Sequence, residues 1–313
     1  MTYFDHQVNG FAGVDFQSPG LGAVELDRAL SALRARGTRI LLTLITAPVE
    51  QLERQFARIE SLLGDSAFAE VVAGYHLEGP YLSPLPGFHG AHPAELMKAP
   101  DLREFDRLHA AARGRLRLVT LAPEWPGSAS FVRELSGRGI CTSIGHSDAG
   151  DAAIDAAIDA GLRLCTHLGN GVPGQLPRHD NIMQRLLARD ELVAAFIPDG
   201  VHLPPAVLKN FVRAKPRDRV IFTTDCMAAA GAGPGRYSLG RLNLDVGEDG
   251  VVREPGKTNF AGSSLTMDRA CANVQRHLGW SAEEATAACG ERAIAVVGLG
   301  PPDDGSGRSP GRI

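Results

Sequence analysis

The chain has 313 residues, 44% of them hydrophobic and 22% charged, which suits one large hydrophobic core and is too long for a small module. A formal charge of −4 at pH 7 and an isoelectric point near 6.2 argue against a polyanionic partner, so we expect neither nucleic acid nor a membrane surface. No apolar stretch approaches the roughly 18–20 residues that span a bilayer, and the N-terminal segment resembles neither a signal peptide nor a transit peptide.

Eight short runs of apolar and β-branched residues predict β-strands. In chain order they cover residues 4–8, 39–45, 71–78, 116–122, 139–146, 162–168, 192–199 and 220–225. Apolar residues at helical spacing predict helices at 24–36, 48–63 and 148–160, the last with Ser147 and Asp148 as its N-cap. Strands that alternate with helices indicate a parallel sheet with crossover connections.

The number and spacing of these units predict the fold. Eight units in about 225 residues match a (β/α)8 TIM barrel by size. An open, doubly wound sheet is the alternative, but no GxGxxG motif follows any of the strands. Beyond the eighth strand, the pattern predicts a hairpin at 236–252 and two helices at 264–278 and 282–297. We therefore expect one domain over 1–299 and a disordered tail, rich in Gly, Pro and Ser, at 300–313.

Ionisable residues follow five of the predicted strands at their C-terminal ends. These residues are Glu78, His146, His167, the pair Asp199 and His202, and Asp225. In a barrel such ends converge on one face, where catalytic groups lie. A single histidine after a strand is more often a structural residue, but five aligned ends are hard to explain that way, because buried ionisable groups are costly without partners.

The residue types at these ends predict a metal-dependent hydrolase. One glutamate and two histidines suit Zn²⁺ or Fe²⁺ and leave a position for water. Asp225 is placed to take a proton from that water and to return it to a leaving group. His76 lies on the same side of its strand as Glu78, and we expect it to pack beneath the site.

Ten segments of the chain resemble the N-acetylglucosamine-6-phosphate deacetylases of the amidohydrolase superfamily. They are DHQVNGFAGVDF (5–16), GYHLEGPYLSP (74–84), GAHP (90–93), LAPE (121–124), IGHSDA (144–149), THLGNGVP (166–173), DGVHLPP (199–205), TTDCMAAAG (223–231), YSLG (237–240) and AGSSLTMD (261–268). They occur in the family's order over nearly the whole chain. The resemblance implies hydrolysis of the acetamide of N-acetyl-D-glucosamine 6-phosphate by a metal-activated water.

The same resemblance implies a role for each matching residue. Glu78, His146 and His167 match the metal ligands, and Asp225 matches the catalytic aspartate. The positions that match substrate contacts are His92, Asn170, Gly171, Asp199, Gly200, Val201, His202, Phe260, Ala261 and Gly262. Arg178 matches a phosphate-binding arginine that reaches in from the neighbouring subunit, so we expect a homodimer; its planar fork suits a phosphate.

Two departures from the family and superfamily patterns modify these expectations. Gln7 and Asn9 line the site where many amidohydrolases have two histidines. Because amides are weak ligands, we predict one divalent ion, with zinc favoured and iron or another divalent metal as alternatives. Segments for the small β-sandwich domain of the family are largely missing from this chain, so apolar surface is either exposed or covered in an oligomer.

Two further alternatives stay open at this point. The substrate is a sugar phosphate, and an isomer such as N-acetylgalactosamine 6-phosphate differs from the glucosamine compound at one hydroxyl. The chain could instead be a truncated, non-catalytic relative that binds such a compound. Finally, five cysteines without CxxC spacing predict free thiols and a cytoplasmic location; they are Cys141, Cys165, Cys226, Cys271 and Cys289.

Overall fold

In the computed structural model, which describes residues 1–256 and 260–300, eight parallel strands form one sheet in chain order. They are β1 (Tyr3–Val8), β2 (Thr38–Ile45), β3 (Val72–Glu78), β4 (Leu116–Leu121), β5 (Cys141–Ile144), β6 (Leu164–Cys165), β7 (Val193–Phe196) and β8 (Val220–Phe222). Every neighbouring pair is parallel. The order confirms the predicted (β/α)8 barrel and excludes the doubly wound sheet, in which the order reverses.

Helices connect the strands and follow the last of them. They are α1 (Ala23–Ala35), α2 (Val49–Asp65), α3 (Leu102–Ala111), α4 (Ser128–Gly137), α5 (Asp151–Ala160), α6 (Ile182–Leu187), α7 (Pro205–Arg213), α8 (Met267–Leu278), α9 (Ala282–Ala288) and α10 (Glu291–Val296). None of those among the described residues has the length and apolar content that a membrane crossing requires. The five cysteines are buried and make no disulfide.

The barrel closes where β8 meets β1. Val8 and Cys226 form a parallel bridge, and the backbone N–H of Asn9 donates to the carbonyl of Cys226 at 2.8 Å. The carboxylate of Asp5 accepts a hydrogen bond from the hydroxyl of Thr223 at 2.6 Å. These contacts continue the hydrogen-bonded ladder around the barrel, so the first and last strands leave no open edge.

Apolar side chains fill the N-terminal end of the barrel. Residues from all eight strands join a single buried cluster with Ala293, Ile294 and Val297 at the C-terminal end of the described chain. The strand members of this cluster are Phe4, Leu41, Ala73, Leu118, Cys141, Leu164, Val193, Ala195 and Ile221, with β7 contributing two of them. The cluster plugs this end of the barrel and leaves the opposite end to polar groups.

An antiparallel sheet follows the barrel, as the hairpin prediction requires. Its strands are β9 (Gly235–Leu239), β10 (Leu242–Val246) and β11 (Val252–Arg253), with the first turn at residues 240–241. Leu239, Leu244 and Val246 pack against Met227 and its neighbours. The small sheet therefore covers the segment that follows Asp225.

Several strands are shorter than the sequence predicts, and the backbone explains why. β5, β6 and β8 end at Ile144, Cys165 and Phe222, two or three residues before the predicted ends. His146, His167 and Asp225 have positive φ angles of 51°, 30° and 48°. A positive φ lies outside the β region, so each strand leaves the ladder shortly before the residue that the sequence singled out.

Two helix predictions are wrong in part, one in its N-cap and the other in its continuity. α5 begins at Asp151 with Gly150 as its N-cap, because the hydroxyl of Ser147 instead donates to Glu124 at 2.6 Å. The predicted helix at 282–297 is two helices separated at Gly290, where a Cβ atom would lie 2.5 Å from the carbonyl oxygen of Thr2. The predicted tail lies, from residue 301 onward, outside the described residues.

A buried carboxylate between α2 and the barrel gives a stability prediction. Glu60 is 4% exposed; it accepts a hydrogen bond from Tyr75, and Arg115 donates to it at 2.8 Å. We expect Arg115→Met to lower the free energy of unfolding by about 2 kcal/mol, because the buried carboxylate of Glu60 loses a positively charged hydrogen-bond donor. Urea unfolding measures the change. The control, Arg107→Met, breaks exposed ion pairs with Glu53 and Glu50 and should cost less than about 1 kcal/mol; equal losses would contradict the prediction.

Candidate metal centre and active site

Three predicted ligands meet at the C-terminal end of the barrel. Nε2 of His167 lies 3.0 Å from Oε1 of Glu78 and 3.2 Å from Nε2 of His146. Nε2 of His146 lies 3.4 Å from the same carboxylate oxygen. All three residues are buried, with exposed fractions of 2–7%. His146 and His167 lie 68 and 89 residues after Glu78 in sequence, yet together with Glu78 they form one triangle of donor atoms.

The size of this triangle fits a metal site. Zinc bonds of about 2.0–2.1 Å in a tetrahedral arrangement place neighbouring ligand atoms roughly 3.3 Å apart. Nδ1 of His146 lies 2.8 Å from the carbonyl oxygen of Phe88, to which it donates, so the Nε2 of a neutral ring carries the lone pair. Such a bond to a backbone carbonyl is the usual orientation of a metal-binding histidine. The residues present therefore fit one divalent cation.

A fourth residue, His92, also lies in this cluster. Its ring packs against that of His146, with centroids 4.6 Å apart, and its Nε2 lies 4.0 Å from Oε2 of Glu78. Ligand atoms of Glu78, His92 and His146 all lie within 4.8 Å of one another. The resemblance implied only a substrate contact for His92, and its loop position gave no strand pattern from which this location follows. The shorter distances favour His167 as the third ligand.

The backbone at the site is strained. In the described chain five residues other than glycine have positive φ, and three of them are His146, His167 and Asp225. Each such conformation costs on the order of 1–3 kcal/mol and persists only where the surrounding structure enforces it. Strain concentrated at these residues is typical of functional positions.

The electrostatics of the cluster favour a cation. Burial alone would raise the pKa of Glu78, but contacts with His146 and His167 outweigh it and leave that pKa well below its usual value. Burial also lowers the pKa of His92 to about 3, with the charge of His146 acting in the same direction, so this imidazole is neutral at pH 7. Burial lowers the pKa of His167, but the contact with Glu78 outweighs it and raises that pKa. The buried carboxylate therefore favours a positive charge beside it, which a divalent cation would supply.

Asp225 lies beside the cluster with a very different pKa. Burial, followed by the negative charge of Glu78, raises its pKa to about 7. One of its oxygens, Oδ1, accepts a hydrogen bond from the side-chain amide of Asn9 at 2.8 Å. Two carboxylates whose pKa values are pushed apart are a common arrangement in active sites, with one kept ionised and the other able to exchange a proton.

His202 is oriented by an aspartate from the same loop. Its Nδ1 lies 2.6 Å from Oδ2 of Asp199, and Oδ1 of Asp199 accepts the backbone N–H groups of Val201 and His202 at 2.8 and 2.9 Å. The ring of Phe260 lies 5.2 Å from that of His202, centroid to centroid. The contact with Asp199 occupies Nδ1 and leaves Nε2 of His202 available to a substrate.

The other predicted substrate contacts surround these groups. The side-chain amide of Asn170 donates to the carbonyl of His167 at 3.1 Å. Gly171 has a φ of 63°, and a Cβ atom there would lie 2.7 Å from the ring of His146. Two cavities flank the cluster, one lined by residues that include His146 and Asn170 and the other by residues that include Asp199 and His202. Gly200 lies in the same turn as Asp199; Ala261 and Gly262 follow Phe260 beside Met227.

The sequence also predicts Gln7 and Arg178 at the site. Gln7 is fully buried, and neither polar atom of its side chain has a partner among the described residues. Arg178 lies in an exposed loop and makes no contact with the cluster within the described part of the chain. The structure therefore brings Asn9 to the site, through its hydrogen bond to Asp225, but not Arg178.

Known proteins resemble this chain over most of its length. No model of a protein family matches it. N-acetylglucosamine-6-phosphate deacetylase from Bos taurus is 34% identical, over 95% of this chain and 74% of that protein. N-acetylgalactosamine-6-phosphate deacetylase from Escherichia coli O157:H7 is 32% identical, over 91% and 74%. A solved structure of a mutant Mycobacterium smegmatis N-acetyl-D-glucosamine-6-phosphate deacetylase, in complex with N-acetyl-D-glucosamine-6-phosphate, superposes with a TM-score of 0.85 at 32% identity, over 95% of this chain and 77% of that one.

Proposed function

The chain belongs to the N-acetylglucosamine-6-phosphate deacetylase family, and we propose that it hydrolyses the acetamide of N-acetyl-D-glucosamine 6-phosphate in amino-sugar catabolism. The products are D-glucosamine 6-phosphate and acetate. The main support is the triangle of Glu78, His146 and His167, with edges of 3.0–3.4 Å, next to a carboxylate whose pKa is near 7. A protein that only bound the sugar would not need that proton-transfer group.

We assign one divalent cation to Glu78, His146 and His167, with zinc as the first choice for one carboxylate and two imidazoles. A cation there supplies a Lewis acid that lowers the pKa of water and polarises the acetamide carbonyl. Gln7 and Asn9 offer only amide groups, which are weaker ligands than imidazoles, so no second tightly bound ion is expected. Iron or another divalent metal is the alternative to zinc.

Asp225 moves the proton in this reaction. Its carboxylate takes a proton from the attacking water and later gives it to the amine that leaves. The hydrogen bond from Asn9 fixes Oδ1 of Asp225, and the described residues make no further hydrogen bond to the carboxylate. Oδ2 is therefore the oxygen that exchanges the proton.

His202 stabilises the charge that develops on the acyl oxygen. Because Asp199 holds Nδ1 of this ring, Nε2 is the atom that donates to the substrate. A fixed donor of this kind is most valuable where charge appears only in the transition state. We assign contacts with the sugar to His92 and Asn170.

The remaining features concern the whole protein. We assign residues 1–299 to one catalytic domain and a homodimer as the assembly, in which the exposed Arg178 binds the substrate phosphate of the neighbouring subunit through its guanidinium fork. Five unpaired, buried cysteines support a cytoplasmic location.

The isomer N-acetylgalactosamine 6-phosphate is the second candidate substrate. A relative named for that substrate is 32% identical to this chain, close to the 34% of the Bos taurus glucosamine enzyme. The two sugars differ at one hydroxyl, so the chemistry at the metal is the same for both. Only the residues around the sugar decide between them.

An acetate-release assay tests the proposed activity. Protein stripped of metal by a chelator should release no acetate from N-acetyl-D-glucosamine 6-phosphate, and adding back zinc, iron or another divalent ion should restore release. A chain that binds metal yet releases no acetate with any ion or either sugar would contradict the proposal. We expect kcat/KM to be higher for the glucosamine compound than for its galactosamine isomer, and the reverse order would favour the second candidate.

A further inference from the structure

A chain of hydrogen-bonded side chains crosses the inside of the barrel beneath the metal cluster. Oγ1 of Thr120 lies 2.7 Å from Nε2 of His76 and 2.8 Å from Oγ1 of Thr166. Oγ of Ser143 lies 2.6 Å from Oγ1 of Thr166. All four residues are at most 3% exposed. Each hydroxyl finds a partner within the chain, so this is a satisfied buried network.

The network joins the strands that carry the proposed metal ligands. His76 precedes Glu78 by two residues on β3, and Thr166 directly precedes His167 after β6. These two strands are not neighbours, because β4 and β5 lie between them. Thr120 is on β4, which bears no proposed ligand, and among the described residues its hydroxyl alone makes hydrogen bonds to both His76 and Thr166.

The backbone that precedes the third proposed ligand, His146, packs against Thr120 and Thr166. A Cβ atom on Gly145 would lie 2.8 Å from Cγ2 of Thr120 and 3.0 Å from Cβ of Thr166. Only the absence of a side chain at Gly145 lets the backbone just before His146 come so close. Thr120 therefore lies against His76, Thr166 and the backbone of Gly145. These residues are two positions from Glu78, one from His167 and one from His146 in sequence.

We propose that Thr120 is a positioning residue, whose hydroxyl ties His76 to Thr166 and so holds Glu78 and His167 at the separation that a divalent cation needs. The inference rests on the proposed metal site. Neither Thr120 nor His76 contacts the cation or the substrate. Groups that orient metal ligands typically contribute about 10–100-fold to metal affinity.

The test compares two buried threonines in the full chain. Thr120→Val keeps the shape of the side chain and removes the hydroxyl, and we expect it to bind zinc about 10–100-fold more weakly in competition with a chelating dye. Thr142→Val is the matched control. Thr142 is 1% exposed on β5, and its Oγ1 has no partner among the described residues, so its loss should leave zinc affinity unchanged.

Three further measurements separate positioning from a general effect on stability. At saturating zinc, Thr120→Val should regain most of its kcat, with KM for the sugar phosphate nearly unchanged. The visible spectrum of the cobalt-substituted variant should differ from that of the wild type, because the ligand geometry has changed. Thr120→Ser, which restores the hydroxyl, should bind zinc better than Thr120→Ala.

If Thr120→Val fails to fold, the comparison of Thr120→Ser with Thr120→Ala still tests the proposal. Equal zinc affinities for Thr120→Val and Thr142→Val, or for Thr120→Ser and Thr120→Ala, would overturn the positioning role. Failure of the wild-type chain itself to bind any divalent ion would instead overturn the proposed function. The two failures are thus distinguishable by one binding measurement on the wild type.

Discussion

Asp225→Asn is expected to lower kcat for acetate release by about 10²–10⁴-fold, the usual contribution of a general acid–base group. Asparagine has nearly the shape of aspartate and keeps an oxygen for the amide of Asn9, but it does not accept a proton from water. Metal content should stay at the wild-type level, because Asp225 is not among the three assigned ligands. Steady-state kinetics together with metal analysis of the purified variant measures both effects.

Asp245→Asn is the control for this prediction. Asp245 lies on β10 in an ion pair with the exposed Arg236, away from the barrel, so its turnover should match the wild type. Near wild-type turnover of Asp225→Asn with metal bound would show that the assigned role is wrong.

The pH dependence of the wild type should report the same group. Asp225 acts as a base only when ionised, so kcat/KM should fall as the pH is lowered through its pKa. That pKa is about 7 with burial and the charge of Glu78 as the main causes. A cation beside Glu78 offsets the second cause, which moves the acidic limb below pH 7. Asp225→Asn should lack this limb.

Glu78→Gln is expected to lower zinc affinity by more than about 100-fold, beyond what changes around the ligands usually cause. The substitution keeps the size of the side chain but removes the negative charge of the carboxylate that contacts both His146 and His167. Saturating zinc should raise the melting temperature of the wild type, since a ligand present at about 1,000 times its Kd adds roughly 4 kcal/mol of stability. The variant should show little or no shift at the same concentration.

Two comparisons complete this experiment. Glu95→Gln removes a carboxylate that is largely exposed and pairs with Arg241, so it should keep the zinc-induced shift of the wild type. Unchanged zinc affinity in Glu78→Gln would mean that the cation, if bound, is held elsewhere in the chain.

The sequence predicted the barrel and most of the cluster because both depend on local patterns. Glu78 closes a strand that is apolar enough to recognise, and a parallel arrangement brings strand ends together. His146 and His167 were predicted for the same reason. Their positive φ angles were not, because backbone strain is imposed by packing from other strands and leaves no periodic signal.

Other features depended on contacts between distant segments. His92 comes from a loop, and its place beside His146 follows from a hydrogen bond to Thr46 at 2.9 Å that no spacing reveals. Thr120 looks in sequence like an ordinary strand residue. The break at Gly290 was missed because it results from the close approach of Thr2, at the other end of the chain.

The plug at the N-terminal end of the barrel has a consequence for how the chain folds during synthesis. Phe4 packs with Ile294 and Val297, and its backbone N–H donates to the carbonyl of Cys289 at 2.9 Å. The first strand thus completes its contacts only after a segment that lies nearly 300 residues later has been synthesised. Contacts of such long sequence separation slow folding, so the nascent barrel should stay open at its N-terminal end, and need protection from aggregation, until α10 has been synthesised.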